Sequence, residues 1–154
     1  LISMSNEKNT PKSSAREVHL TVTGIQTIPN GDTNKDTTKE IGQYYNRNNT
    51  HYILIEDERS AKCDRYKFNH RFLEVVKNGD INAKLYFEAG KTYTAEYRTP
   101  YGRMKLTFVT DQLYLHEKED SISAYAKYAI FSDDRLVSEN TIDVNVNLAP
   151  NGQG

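Results

Sequence analysis

Between Val18 and Leu148 the chain alternates apolar and polar side chains with a period of two, again and again. A strand points successive side chains to opposite faces, so this pattern buries one face of each segment and wets the other. Val18, Leu20 and Val22 alternate with His19, Thr21 and Thr23; Ile81, Ala83, Leu85 and Phe87 alternate with Asn82, Lys84, Tyr86 and Glu88. Met104, Leu106 and Phe108 form a third line, Ile122 to Ile130 a fourth, and Ile142, Val144, Val146 and Leu148 a fifth. No window of similar length fits the helical period as well, so the chain is all-β.

Turn residues stand where the alternation breaks. Asn78-Gly79-Asp80 carries the Asn-Gly pair that a type I′ hairpin favours, between Leu73-Glu74-Val75-Val76 and the Ile81 strand. Ala89-Gly90-Lys91, Pro100-Tyr101-Gly102, Asn46 to Thr50 and Ser132 to Arg135 mark further turns, and Pro29 to Thr37 reads as a longer polar loop. Short connections make sequential strands antiparallel neighbours. About eight to ten strands in that order leave two exposed edges unless the sheet closes, which predicts an antiparallel up-and-down closed barrel.

At 154 residues the chain is the length of one domain. The polar segment 1–14 is expected to be a disordered tail, 15–148 the single barrel domain, and 149–154 a second tail. Met4 is a candidate initiator, and the sequence leaves open whether Leu1 to Ser3 belong to the native chain. No apolar run approaches the roughly 20 residues of a membrane helix or the h-region of a signal peptide. The single Cys63 has no disulfide partner, which points to a reducing, cytoplasmic compartment. A net charge of −1 argues against a nucleic-acid phosphate backbone as partner.

Candidate chemistry is sparse. His19, His51, His70 and His116 show none of the paired spacings of a metal site, so no metal and no cofactor is expected. The clusters Glu56-Asp57-Glu58, Glu117 to Asp120 and Asp133-Asp134 sit at strand ends, where water keeps carboxylates ionised. No Gly-x-Ser-x-Gly and no glycine-rich phosphate loop is present, and Cys63 has no catalytic signature. The sequence therefore names no catalytic residue. Its aromatic set is lopsided, with 11 Tyr and no Trp.

Phe87-Glu88-Ala89-Gly90, Tyr97-Arg98-Thr99-Pro100-Tyr101-Gly102 and Phe108-Val109-Thr110 together resemble the YwiB-like family of uncharacterised bacterial proteins. Val18 to Gly24, the Gly42-Gln43-Tyr44-Tyr45 and Tyr52-Ile53-Leu54-Ile55 pair, and Val75 to Gly79 fit the same pattern. The resemblance runs from about Ala15 to Leu148 and implies a small calycin-like barrel, similar in architecture to lipocalins. It brings no activity, cofactor or catalytic residue with it.

A barrel of that kind, without a catalytic constellation, is expected to bind a small, partly apolar molecule or a protein partner rather than to act as an enzyme. Tyr93, Tyr97, Met104, Leu106, Phe108, Tyr128 and Val144 are the expected cavity lining, with Arg98 and Thr99 at the mouth orienting a polar head group. The alternative is a nucleic-acid-associated barrel with exposed Tyr beside Lys62, Arg65, Lys67, Arg71, Lys84 and Lys105. A third reading, catalysis on a captured molecule, needs Glu96 or His51 inside the barrel.

Overall fold

The alternating segments fold into ten antiparallel strands in a computed structural model that describes residues 15–150. They are β1 (Arg16–Thr27), β2 (Thr33–Arg47), β3 (Thr50–Asp57), β4 (Lys62–Phe68), β5 (Leu73–Lys77), β6 (Ala83–Phe87), β7 (Thr92–Thr99), β8 (Gly102–Glu117), β9 (Ser121–Ser132) and β10 (Arg135–Asn147). There is no helix among the described residues, hence none long and apolar enough to cross a membrane. The segments read as tails, and Met4, lie outside the described residues apart from Ala149 and Pro150.

One sheet contains every strand, in the order β6-β5-β4-β3-β2-β1-β10-β9-β8-β7. The first and last strands pair over a long register, from His19 opposite Asn147 to Thr27 opposite Glu139. The sheet meets itself between β6 and β7 through one bridge, where Asn82 and Arg98 exchange two N–H···O bonds of 2.9 Å. The result is a nearly closed barrel. Its seam lies between consecutive strands, and its two chain ends are zipped together. One end of the barrel, the upper, carries the turns after β1, β3, β5, β7 and β9; the lower end carries the others.

Two hairpins have the backbone their sequences call for. Asn48 and Asn49 (φ 53° and 59°) join β2 to β3, and Asp133 and Asp134 (φ 51° and 65°) join β9 to β10. Asn and Asp tolerate this left-handed region, and two such residues in succession match the twist of a hairpin. Two expectations need correction. Asn78-Gly79 does not form a tight hairpin turn: β6 begins only at Ala83, Ile81 is an exposed loop residue, and the Asn82 side chain instead bonds the Gly79 N–H and C=O. Thr33 to Thr37 is strand rather than loop, because β1 extends to Thr27 and offers a full partner, with Thr23–Thr37 and Thr27–Thr33 hydroxyl pairs across the ladder.

The inner face carries Val18, Leu20, Ile53, Tyr66, Phe68, Leu73, Val75, Phe87, Phe108, Ala124, Ala126, Val144 and Val146, all essentially sealed from water. Phe87, Phe108 and Tyr128 interlock at ring-centroid distances of 4.6 to 5.7 Å. Along β8 the inner phase passes from Phe108 and Thr110 to Leu113 and Leu115, across an irregularity between Thr110 and Gln112 that drops one residue from the ladder.

Gly42 lets β2 and β3 approach inside this core. A Cβ there falls 2.8 Å from Ile53 Cγ2 and 3.0 Å from the Leu54 carbonyl oxygen, closer than real contacts allow. Gly42→Ala is expected to cost about 1–3 kcal/mol in a urea denaturation curve. Gly24→Ala, whose Cβ meets only the Thr141 carbonyl oxygen at 3.9 Å, is expected to cost nothing.

Candidate functional site

Most inner-face positions are apolar, so the polar ones stand out. They form three groups at different heights in the barrel. Cross-strand register sets Asn140 on β10 opposite Tyr128 on β9, and Tyr128 opposite Thr110 on β8. Asn140 and Thr110 are buried, as is Ser138 next to them. Asn140 Nδ2 donates to Ser138 Oγ at 2.9 Å, and Gln26 Nε2 from β1 donates to the same oxygen at 3.3 Å. Thr110 Oγ1 is the one buried side-chain polar atom without a partner among the described residues. This band carries hydroxyls and amides but no charge.

Above the band the inner face opens. Met104 sits opposite Tyr97 and continues the inward line of Phe108 and Leu106, yet it is 50% exposed. Tyr97 and Leu106 are only partly buried, as is Tyr128 in the band itself, whereas their lower neighbours Ala95, Phe108 and Ala126 are sealed. Side chains that face inward and still meet water mark the open mouth of the barrel. Burial pushes the Tyr97 phenol up to about 12 and raises Tyr128 further, with Tyr97 close enough to add to the effect.

At the lower end His51 is 3% exposed and fully engaged. The Tyr44 hydroxyl lies 2.8 Å from Nδ1, with Asn46 Nδ2 at 3.2 Å, and Glu117 Oε2 lies 2.7 Å from Nε2. A carboxylate only accepts, so Nε2 bears the proton and Nδ1 accepts from Tyr44. Burial keeps the Tyr44 phenol protonated by raising its pKa, against the opposing pull of Asn46 and Arg16. His51 is thus inside the barrel, as the catalytic reading requires. The network is a latch in the sense that it ties β2, β3 and β8 together through Tyr44, His51 and Glu117. Glu96 is outside and faces Arg98 at 3.5 Å.

Toward the upper end a group of charges bridges β2, β4 and β5. Asp64 is buried and accepts from Lys77 Nζ at 3.2 Å and from the Asn78 N–H at 3.2 Å, while Lys62 reaches both Glu40 and Asp64. Burial opposes the Lys62 charge, but its bond to Glu40 and the attraction of both carboxylates outweigh this and hold its pKa above the ordinary lysine value. Each buried charge here has a partner, which is the condition for tolerating it. Among the described residues no three His, Cys, Asp or Glu side chains cluster as metal ligands.

The expected lining residues separate. Tyr97, Phe108 and Tyr128 come together, but Phe108 packs between the other two rings rather than bordering a void. Met104 is at the rim. Tyr93 stands at the β6–β7 seam, its ring 5.9 Å from that of Tyr86. Arg98 is exposed on the outer face, and Thr99 uses its hydroxyl in the β7–β8 turn, donating to the Gly102 carbonyl and accepting from the Tyr101 N–H. Neither orients toward a head group, because strand parity sends Arg98 outward and the turn consumes Thr99. Of the six cations grouped with exposed Tyr, Arg65, Lys67 and Lys84 share the outer face of β4 to β6, with Arg71 at its lower edge. Lys62 turns inward to Glu40, and Lys105 lies on β8 opposite Glu96. The polar band of Gln26, Ser138, Asn140 and Thr110 was missed in the sequence. Its one signal was polar residues at inward phase, visible only once the register is known.

The profile of a family described as a domain of unknown function (DUF1934) matches residues 20–144. Among solved structures, the ywiB protein from Bacillus subtilis superposes with a TM-score of 0.74 at 15% identity, covering 87% of this chain and 92% of that one. At that identity the likeness speaks for the fold. No curated protein matches the chain.

Two outcomes test this geometry. His51→Phe keeps a ring but strands Glu117 and Tyr44, and is expected to lower stability by about 1–3 kcal/mol in denaturant titration. The tyrosines set the alkaline limit. Below the ordinary value of 10.0, Tyr97 is protonated in both folded and unfolded chains, so its contribution is fully present. Between there and about 12 only the unfolded chain releases the proton, so stability falls as pH rises. Tyr66, Tyr128 and Lys62 are raised too and act with the same sign. Tyrosinate absorbance is expected to show one group of phenols ionising only as circular dichroism reports unfolding.

Proposed function

The chain belongs to the DUF1934 family, a domain of unknown function, and from that premise we propose that it is a binding barrel, not a catalyst, which takes a small, partly apolar, uncharged molecule at its upper mouth. The observation that carries this reading is the set of inward-facing apolar side chains, Tyr97, Met104, Leu106 and Tyr128, left partly exposed above a sealed core. Fully burying a large apolar side chain is worth about 1.5–3 kcal/mol, so a ligand that covers the exposed part of these gains a fraction of that from each.

The polar band beneath supplies the specificity. Thr110 Oγ1 has a hydrogen bond to make, and Tyr128 and Asn140 share its row, beneath the sealed Phe108. Hydroxyls and amides without a nearby charge match a hydroxyl, carbonyl or amide on the ligand and penalise an ionised group, whose desolvation nothing there repays. The carrier role fits the calycin-like architecture by analogy of fold alone. A single half-buried Cys63 fits a reducing, cytoplasmic setting.

The test is titration of the purified protein with the neutral, environment-sensitive dye Nile red, with native mass spectrometry of the same preparation for a retained ligand. Dye binding is expected to be saturable and to fall about tenfold in Met104→Glu, which places a charge on the rim. Tyr128→Phe keeps the ring and is expected to alter the affinity for hydroxyl-bearing competitors while sparing the dye. Unsaturable dye uptake, or uptake unchanged in Met104→Glu, overturns the proposal.

A further inference from the structure

The outer face of β2 to β6 carries a row that the mouth does not use. Cross-strand register lines up Tyr45, Tyr52, Lys67, Glu74 and Tyr86, one from each successive strand. Five strands about 4.8 Å apart make the row about 19 Å long. The Tyr45 and Tyr52 rings stack at 4.8 Å with only 4° between their planes, and Lys67 Nζ sits 5.5 Å from the Tyr52 ring. Tyr52 is therefore covered on both sides, whereas among the described residues no ring or cation covers the far face of Tyr45. A groove of about 260 Å³ runs beside the pair, bordered by Tyr45, Tyr52, Leu54, Arg65, Lys67 and Glu74.

The charges on this face do not cancel. Glu74 is held by Lys84 at 3.5 Å, and Arg71 by Glu88 at 3.3 Å. Among the described residues, Arg47, Arg65 and Lys67 have no carboxylate within ion-pair distance, although all three flank the tyrosine pair. Glu17, opposite Gln43, is the acidic side chain on the β1 side. Three cations without an ion-pair partner around a stacked aromatic pair with one free face suit an anionic ligand that also offers a flat ring.

We propose that this face binds single-stranded nucleic acid, with a base extending the Tyr52–Tyr45 stack and the backbone phosphates meeting Arg47, Arg65 and Lys67. Stacking on tyrosine is tolerant of sequence because every base has a π-face, and three cations give moderate, salt-dependent affinity. An overall charge of −1 does not oppose this, since Arg47, Arg65 and Lys67 stand close together around the tyrosine pair. An acidic peptide meets the cations but leaves the free Tyr45 face unused, so the ring chemistry favours the nucleic acid.

Fluorescence anisotropy with labelled single-stranded RNA and DNA of roughly ten nucleotides tests the proposal on the full chain. Binding at low salt is expected, with Tyr45→Ala weakening it about tenfold. Arg65→Gln and Lys67→Gln are each expected to reduce the slope of affinity against salt by about one. All three side chains lie outside the core, and thermal melts of the variants verify folding. No binding at low salt overturns the proposal. So does affinity unchanged in Tyr45→Ala, or competition by polyglutamate as strong as by unlabelled oligonucleotide.

Discussion

The ladder between β1 and β10 is the interaction on which the rest of the molecule depends. Each of its strands has another neighbour, β2 or β9, but without their mutual pairing the sheet breaks into two halves with four edges instead of a nearly closed wall. Joining them closes a loop of more than a hundred residues, an entropic cost that grows only as the logarithm of length. The return is large: Val18, Leu20, Val144 and Val146 meet across the ladder and are fully buried, and the β8–β9–β10 wall is brought over the short strands β3 to β6.

Closure there shifts the weak point elsewhere. The remaining seam lies between β6 and β7, where one bridge at Asn82 and Arg98 and a short connection at Glu88 to Lys91 hold two strands whose middle portions do not pair. The five-residue β6 and the partly exposed Tyr93 at this seam make it the least reinforced part of the wall. Closure also divides the interior by height. The lower half holds its polar groups in the His51 latch, the charges of Asp64 and Lys62 are paired with each other and with Lys77 and Glu40, and the uncharged band lies around Tyr128.

Much of the fold was legible because alternation is a direct consequence of strand geometry. Val18 to Val22, Ile122 to Ile130 and Ile142 to Leu148 reach the inner face as their pattern requires. Alternation was less informative where an inner position is charged: β4 places Lys62, Asp64 and Tyr66 inward, a set that reads as surface until Glu40 and Lys77 arrive from other strands to pair with the first two. It also failed at β8, where the irregularity after Thr110 moves Leu113 and Leu115 onto the face that Phe108 occupies. The Asn78-Gly79 pair misled for a third reason. Local turn preference was overridden by the Asn82 side chain, which organises a longer loop and delivers Asn82 to its bridge with Arg98.

By itself the sequence determined the all-β class, the meander and most of the buried face, since these follow from local periodicity and short connections. It also carried the family resemblance that the profile match bears out. Which strands close the barrel, which tyrosines pack inside and which align outside, and which polar residues meet were decided only by the tertiary structure. His51 and Glu117 are 66 residues apart, and Gln26 and Ser138 are 112 apart. No local pattern encodes such meetings; they depend on a register fixed by the whole wall, in which a shift of one residue turns every side chain to the other face.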